Sequence, residues 1–237
     1  MLKIKNLSKT YKNGKKAVDS LNIEVSAGDI YGFIGHNGAG KTTTIKCVAG
    51  ILQFDQGEIL IDGISMAEKP LECKAKIAYL SDSPNLYEHM KGVSYLNFIA
   101  DVFGIPQKER EERIQTFADR LELTNQLDGL ISSYSHGMKQ KLALISAFIH
   151  APKLIILDEP FVGLDPKAAH SLKEMLKEHC ALGNAVFFST HVLEVAEKLC
   201  NKIAIIRDGK LVVSGATDEV KGDNTLEEMF LELIEHE

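Results

Sequence analysis

Residues 35–42 of the chain read Gly-His-Asn-Gly-Ala-Gly-Lys-Thr and have the spacing G-x-x-x-x-G-K-[ST]. In such a loop the glycines turn backbone N–H groups inward around phosphate oxygens, and the lysine adds a full positive charge. The threonine hydroxyl that closes the motif is placed to ligate Mg²⁺. This spacing therefore predicts the binding of a nucleotide's phosphates. The predicted contact residues are Gly35, His36, Asn37, Gly38, Ala39, Gly40, Lys41, Thr42 and Thr43.

The residues on either side of this loop fit the elements that must position it. Ile30–Ile34 is an apolar run that predicts a buried strand, and Thr43–Ala49 predicts a helix. The positive end of that helix would point at the same anion as the loop. The alternative is a glycine-rich turn with an unrelated lysine, which leaves the strand and the helix unexplained. We therefore expect Lys41 to bind the β- and γ-phosphates and Thr42 to bind the metal ion.

Two adjacent acids follow a second apolar run, Leu154–Leu157. Acids at the end of a buried strand are costly unless a cation lies near them, and Mg²⁺ and Lys41 would supply that charge. We expect Asp158 to be a metal ligand and Glu159 to be the general base or water-positioning group for attack on the γ-phosphate. The alternative is a pair of acids that faces solvent.

His191 follows Ser189 and Thr190 at the end of a third apolar run, Ala185–Phe188. A histidine at a strand end can contact the γ-phosphate or polarise the attacking water. A lone histidine is more often structural, but its position beyond a buried strand favours a catalytic role.

Physical chemistry alone does not decide the role of two further residues, Tyr11 and Ser135. Tyr11 stands before the Asn13–Gly14 turn, where it would either stack on adenine or cover a sheet edge. Ser135 begins a helical run with Gly137 two residues later, so it would be the N-cap of a helix whose remaining N–H groups can face an anion.

Composition narrows the class of protein. The chain has 237 residues and a net charge of −6, which argues against a general nucleic-acid binder. No run approaches the roughly 18–20 apolar residues of a membrane-spanning helix, and the alternating, charged N-terminus is unlike a signal peptide. We expect a cytoplasmic chain, with another polypeptide supplying any membrane span. The four cysteines include no C-x-x-C pair, so we expect reduced, buried thiols.

The order of apolar runs predicts an α/β fold. Residues 1–29 predict an antiparallel hairpin, residues 86–150 have a helical period, and strand-like runs then alternate with helices up to the Asp208–Gly209 turn. Continuous apolar strands indicate a mainly parallel sheet covered on both faces, with ligands at the carboxyl ends of its strands. We expect one domain, 1–237, with a nucleotide-binding core at 1–85 and 151–215, a helical subdomain at 86–150 and a helical tail at 216–237.

The tail contains a capping box from Thr225 to Glu228 and an apolar face that includes Leu226, Met229 and Phe230. We expect this face to pack on the chain itself rather than on a partner.

Several of these segments together resemble an ATP-binding cassette (ABC) transporter ATPase subunit, from Leu2 through at least Gly215. The resemblance covers the phosphate loop, Tyr134–Met138 as the signature motif and Leu154–Glu159 as the Walker B strand with its glutamate. It also covers Gly163–Pro166 as the D-loop and Ser189–His191 as the switch-histidine segment, all in family order. The Y-S-x-G-M form and the L-E-E-M-F tail are similar to the bacterial ABC-2 or bacitracin-export-like branch.

The resemblance implies a phosphate-loop NTPase core with an N-terminal antiparallel β subdomain and an inserted α-helical subdomain. It implies that ATP and Mg²⁺ are bound, that Glu159, His191 and Lys41 act in hydrolysis, and that Tyr11 stacks on adenine. Two such subunits, identical or different, would sandwich two ATP molecules, with Ser135 and Gly137 of one facing the phosphate loop of the other. The dimer would power an integral membrane permease, which we expect to be an exporter, from the inner face of the cell membrane, without a nucleic-acid partner.

The sequence departs from the family pattern at two positions. His136 replaces the first signature glycine, although Ser135 and Gly137 remain. Asp82 stands where the family's Q-loop usually has glutamine; its oxygens can still bind Mg²⁺ or water, but it is shorter and charged. Asp82 is therefore expected to be a metal ligand.

Two other kinds of protein compete with this interpretation. A soluble ABC-type ATPase of translation or DNA maintenance usually carries paired cassettes or a long coiled coil, but this chain has one phosphate loop and no long heptad run. A phosphate-loop kinase would leave the signature-like helix and His191 unexplained.

Overall fold

The structure is a computed structural model that describes residues 1–235, with side chains described through residue 233. Within residues 1–235, ten strands form two sheets, as the sequence predicts for an α/β fold. The larger sheet contains β3 (Ile30–Ile34), β6 (Ile77–Leu80), β7 (Leu154–Asp158), β8 (Ala185–Thr190), β9 (Lys202–Arg207) and β10 (Lys210–Ala216). The smaller sheet contains β1 (Leu2–Thr10), β2 (Lys16–Val25), β4 (Gln56–Ile61) and β5 (Ile64–Ser65).

The larger sheet has the strand order β10-β9-β3-β8-β7-β6, and all neighbouring strands except β10 and β9 are parallel. Strands β3 and β7 are buried along their whole length, as continuous apolar runs predict. The register places Ile34 beside Thr190 and Asp158 beside Ser189. The carboxyl ends of β3, β7 and β8 therefore meet at one edge, where the polar residues that follow them gather.

The smaller sheet is antiparallel, in the order β2-β1-β4-β5, and includes the predicted hairpin between β1 and β2. One hydrophobic core joins this sheet to the larger one, with Leu7, Val18 and Phe33 fully buried. The turn at Asp208–Gly209 also connects two antiparallel strands, β9 and β10, as predicted.

The chain between β6 and β7 is helical, which confirms the inserted helical segment of the predicted fold. It contains α3 (Gly92–Val102), α4 (Gln107–Arg120), short 3-10 turns at Thr124–Gln126 and Ile131–Ser133, and α5 (His136–Phe148). A second hydrophobic core includes Leu96, Ile114 and Leu142 of these helices and Phe188 of β8. The boundaries at residues 86 and 150 stay a prediction.

The remaining helices are α1 (Lys41–Val48), α2 (Pro70–Lys74), α6 (Pro166–Ala181), α7 (Leu193–Leu199), α8 (Thr217–Lys221) and α9 (Leu226–Glu235). Helix α1 begins at Lys41, the lysine of the phosphate loop, and so two residues before the predicted start at Thr43.

Within the described residues, no helix is long and apolar enough to cross a membrane. All four cysteines are free and buried, as expected.

The tail packs on the chain itself. The Thr225 hydroxyl accepts a hydrogen bond from the Glu228 N–H at 3.2 Å, and the Thr225 N–H donates to the Glu228 carboxylate at 2.8 Å. Leu226 is completely buried, and Met229, Phe230 and Leu233 pack against the larger core. The predicted capping box and docked face are therefore confirmed. Residues 236 and 237 of the predicted tail lie outside the described residues.

A buried histidine in α6 predicts a weakness of this fold at acid pH. Burial lowers the pKa of His179 to about 4, and the neighbouring His150 acts in the same direction. The pKa of histidine in an unfolded chain is about 6.5. The stabilisation by the neutral ring is therefore present above that pH and is lost as the pH falls towards 4. Between pH 7.5 and 5.5 we expect a cost of about 1 kcal/mol from this one residue.

The measurement is the melting temperature of the protein and of His179→Leu at both pH values. The variant should lose less stability on acidification than the parent. His170→Leu is the matched control, because His170 is exposed on the same helix. Equal acid sensitivity of the parent and His179→Leu would contradict the prediction.

Candidate active site

The phosphate loop lies between β3 and α1, with other strands close against its backbone. A Cβ atom at Gly35 would lie 2.5 Å from the Ile206 carbonyl oxygen, and one at Gly40 would overlap the Ala17 carbonyl oxygen. Gly40 also has a φ of +110°, which side chains rarely adopt. Glycine is therefore required at both ends of the turn, because β9 and β2 leave no space for a side chain.

Lys41 is the buried cation of the loop, with a side chain only 7% exposed. Its ammonium donates hydrogen bonds to the Gly35 carbonyl at 2.6 Å and to the His36 carbonyl at 3.2 Å. It also lies 3.8 Å from Glu159 Oε1. Burial lowers the pKa of Lys41, and the nearby charges of Glu159 and Asp158 oppose that shift. The acids thus help to keep a positive charge inside the loop, where it can meet a phosphate.

Asp158, at the end of β7, is 1% exposed. The Ser189 hydroxyl donates a short hydrogen bond to its Oδ1, whereas its Oδ2 is buried without a hydrogen-bond partner among the described residues. A buried carboxylate oxygen without a partner is costly, so a cation is the natural ligand for it. Thr42 and Asp82 line the same cavity. This all-oxygen set fits Mg²⁺, which prefers hard oxygen donors.

Glu159 follows Asp158 and turns into the site through an unusual backbone. Its φ is +50°, and its N–H is fixed by the Ser189 carbonyl and hydroxyl, both at 3.2 Å. Its Oε1 lies 2.9 Å from Nδ1 of His191, so the imidazole N–H can donate to the carboxylate. Two predicted catalytic residues from different strands are therefore in direct contact.

Lys41, Asp158 and Glu159 line one open cavity of about 240 Å³ at the carboxyl edge of the larger sheet, whereas His191 does not line it and contacts its lining residue Glu159. The sequence-predicted residues that line it are Tyr11, His36, Asn37, Gly38, Gly40, Lys41, Thr42, Thr43, Asp82, Asp158 and Glu159. Gly35 and Ala39 belong to the loop but do not line the cavity, and Ala39 is completely buried. A glycine-lined cavity that contains both a buried lysine and carboxylates can hold a polyphosphate and a divalent cation together.

Comparison with known proteins agrees with this geometry. The family described as ABC transporter matches residues 18–162. The ABC-type transporter ATP-binding protein EcsA of Bacillus subtilis is 31% identical over 242 residues, covering all of this chain and 98% of EcsA. The chain belongs to the ABC transporter family. As one of the ATP-binding subunits of this family, the protein is an ATPase.

Solved structures support the assignment to ABC ATP-binding subunits. A structure described as the ATP binding subunit of an ABC transporter is 33% identical, with a TM-score of 0.95 over 99% of this chain and 100% of that chain. CbiO1 from Clostridium perfringens, described as part of the ABC transporter complex cbiONQ, is 25% identical, with a TM-score of 0.80 over 94% and 90% of the two chains. The predicted fold, an ABC ATPase with two sheets and inserted helices, is confirmed.

The signature segment of this ABC subunit lies apart from its own cavity. Ser135 caps α5 by accepting a hydrogen bond from the Met138 N–H at 3.3 Å, as the sequence predicts. Neither Ser135 nor Gly137 lines the cavity formed by the phosphate loop. The nucleotide contacts predicted for Ser135 and Gly137 stay a prediction, because neither residue lies at this cavity.

Tyr11 lies at the rim of the cavity in this ABC subunit and is 40% exposed. Its hydroxyl is 3.1 Å from the hydroxyl of Thr43, the residue after the phosphate-loop motif. A hydrogen bond therefore holds the Tyr11 side chain at the start of α1, beside the phosphate loop, and the ring does not cover a distant sheet edge. Stacking on adenine stays a prediction.

Sequence reasoning missed three residues of the ABC subunit's site: Ser189, Lys15 and Ala17, the last of which lines the cavity from β2. Ser189 binds the carboxylate of Asp158 and the backbone of Glu159, although the sequence singled out only the neighbouring His191. Lys15 lines the cavity from the hairpin between β1 and β2. A hydroxyl directly before Thr190 and His191 at a strand end was a usable signal for Ser189, whereas Lys15 is one of several lysines in a polar turn.

Proposed function

We propose that this ATPase is the energy-supplying subunit of a membrane transporter and drives a separate permease through ATP-dependent dimerisation. The observation that carries the proposal is the meeting of Lys41, Asp158, Glu159 and His191 at one edge of the larger sheet. Its partners are an integral membrane permease and a second ATPase subunit, identical or different. The protein would act in the cytoplasm, at the inner face of the cell membrane.

Each site residue has a proposed role in hydrolysis. Lys41 binds the β- and γ-phosphates. Glu159, whose Oε1 lies 3.8 Å from the Lys41 ammonium, accepts the proton of the attacking water or orients that water. His191 fixes the Glu159 carboxylate and contacts the γ-phosphate. Thr42, Asp158 and Asp82 would hold Mg²⁺, which neutralises charge on the phosphates when it is bound.

A second subunit would complete each site. Ser135 and His136 are exposed, and Gly137 is half-buried, so the start of α5 is open to a partner. The free N–H groups at that helix start favour an anion. We propose that they meet the γ-phosphate held by the other subunit, so that the phosphate holds the dimer together and hydrolysis releases it. A dimer of identical chains would contain two such sites related by a twofold axis.

The proposed permease surface lies where the helical segment meets the core. A cavity of about 250 Å³ separates the loop after β6 from α3 and α5, with Ser81, Pro84 and Tyr95 among its lining residues. Beside it, Tyr87 is 58% exposed and contacts Phe98, which is 42% exposed, with ring centroids 5.7 Å apart. An exposed aromatic pair next to a cleft is a typical anchor for a helix of another protein. The loop also contains Asp82, so the cleft is connected to the ATP cavity.

The experiment is co-purification of the tagged subunit from membranes of its own cell, followed by identification of the bound integral membrane protein. Truncating both rings in Tyr87→Ala/Phe98→Ala should reduce the recovered permease by about tenfold or more, since buried aromatic anchors contribute about 2 kcal/mol or more to binding. ATP binding by the purified variant should be unchanged, because neither ring lines the phosphate cavity.

Leu182→Ala is the matched control, because Leu182 is apolar and 81% exposed at the end of α6. It should recover as much permease as the parent protein. Recovery of ribosomes or DNA in place of a membrane protein would contradict the proposal and favour the soluble alternative.

We propose export as the direction of transport. The support is the Y-S-x-G-M form of residues 134–138 and the L-E-E-M-F tail at 226–230, which resemble the bacterial export branch. ATP-dependent movement of a permease substrate into inverted membrane vesicles would test it. Uptake into right-side-out vesicles would contradict it.

A further inference from the structure

His136, which stands where the family usually has a glycine, lies against the loop that follows Glu159. A Cβ atom at Gly163 would be 2.6 Å from Cδ2 and 2.9 Å from Nε2 of the His136 ring. The ring therefore covers the Cα of Gly163 at close range. The next residue of α5 also packs here, since a Cβ atom at Gly137 would lie 2.9 Å from the Gly163 carbonyl oxygen.

Further contacts join α5 to the same loop. The Gln140 amide, which is completely buried, donates to the Pro160 carbonyl at 3.4 Å. The Lys141 ammonium lies 2.8 Å from Asp165 Oδ2. Residues 136, 137, 140 and 141 share one face of a helix because side chains four positions apart lie one above the other. One face of α5 therefore holds residues 160–165 along their length.

The middle of this loop depends most on the histidine. At its start, the Phe161 ring packs edge-on against Phe188 with centroids 6.0 Å apart. At its end, Asp165 caps α6 by accepting from the Ala168 N–H at 2.8 Å. Gly163 lies between these anchors with no side chain of its own and a φ of +80°. The His136 ring supplies the contact that a side chain at Gly163 would otherwise make.

We propose that His136 is a positioning residue for hydrolysis. By seating its ring on Gly163 it fixes the loop 160–165, and through that loop it fixes the backbone of Glu159 and the loop surface offered to a second subunit. This inference deepens the proposed function and rests on the assigned role of Glu159. The shape of the ring performs this task, so a ring without hydrogen-bonding atoms should replace it.

The test compares His136→Ala and His136→Phe with the parent protein, first without nucleotide. Hydrogen exchange is measured at the amides of Val162 and Leu164, which donate to the Glu159 and Phe161 carbonyls at 3.2 and 3.4 Å. Exchange at both amides should rise about tenfold in His136→Ala and stay at the parental rate in His136→Phe. Lys139→Ala is the control, because Lys139 is in the same turn of α5 but pairs with Glu88.

The second readout is steady-state ATP hydrolysis. His136→Ala should lower kcat about tenfold with little change in KM, because the loop misplaces Glu159 and leaves Lys41 in place. His136→Phe should restore kcat. Parental exchange rates in His136→Ala would overturn the proposal, as would a loosened loop with unchanged kcat or a phenylalanine variant as slow as the alanine variant.

The exchange measurement separates this proposal from the proposed function. It needs no ATP, so it reports on the loop even in a protein whose hydrolysis does not depend on Glu159. A parent protein that hydrolyses ATP equally well with Glu159→Gln would remove the function assigned to Glu159. The contact of His136 with the loop would still be judged by the exchange rates.

Discussion

Glu159→Gln is expected to reduce ATP hydrolysis by roughly 10²- to 10⁴-fold, the range typical for loss of a general base. The amide keeps the size of the carboxylate but cannot accept a proton from the attacking water. It also removes the charge 3.8 Å from Lys41, and the oxygen 2.9 Å from His191 becomes a neutral instead of a charged acceptor. Because the phosphate loop is unchanged, the variant should still bind ATP with Mg²⁺ and accumulate as an ATP-bound dimer.

Single-turnover hydrolysis and sedimentation velocity measure the two parts of this result. Glu194→Gln is the matched control, because Glu194 is an exposed acid of α7 that pairs with Lys198. Full hydrolysis by Glu159→Gln would remove the role assigned to this residue. A slow variant that stays monomeric with ATP would instead contradict the ATP-held dimer.

Lys41→Ala is expected to weaken ATP binding by about 10- to 100-fold and to abolish measurable hydrolysis. The lysine is the buried cation of the loop, and a hydrogen bond from a charged group contributes about 1.5–3 kcal/mol. Its removal also leaves Glu159 and Asp158 without the positive charge that faces them. Repulsion between these acids and the phosphates should add to the loss.

Binding is best measured by calorimetry with ATP in the presence of Mg²⁺. Lys46→Ala serves as the control, since Lys46 is in the last turn of the same helix, away from the cavity. An affinity for ATP equal to that of the parent would exclude the assigned role of Lys41. Equal loss in both variants would show that the effect comes from α1 as a whole.

The sequence could predict the phosphate loop because everything that builds it is local. The strand Ile30–Ile34, the glycines and the helix that begins at Lys41 are consecutive in the chain. The position of Asp158 was also predictable, because an apolar run that ends in acids indicates a buried strand whose carboxylates need a cation. The family assignment followed from the order of such local segments.

Residues that reach the site through the tertiary structure were harder to predict. Ser189 meets Asp158 only because β7 and β8 are neighbours in a register that pairs these two residues. Lys15 arrives through the hairpin of β1 and β2, whose distance from the phosphate loop is set by the packing of two sheets. One apolar run gives neither the order of the strands in a sheet nor the register between them. The register matters here, because a shift of one residue would move every side chain to the other face of the sheet.

Short elements were missed for a different reason. Helix α2 has five residues and β5 has two, so neither contains enough periods for an apolar pattern to emerge. The contact between His136 and Gly163 likewise joins two segments that are distant in the chain and that nothing in the sequence pairs. Such contacts depend on packing between elements, not on the preferences of the residues.

The backbone of Glu159 has a consequence for engineering this subunit. A glutamate at a φ of +50° stores strain of about 1–3 kcal/mol, and glycine would adopt the same conformation at less cost. Laboratory evolution for heat tolerance alone would therefore favour loss of the carboxylate. At position 159, a residue that favours ATP hydrolysis lowers thermal stability, and a residue that raises thermal stability reduces hydrolysis. Variants selected for thermal stability must therefore also be screened for ATP hydrolysis.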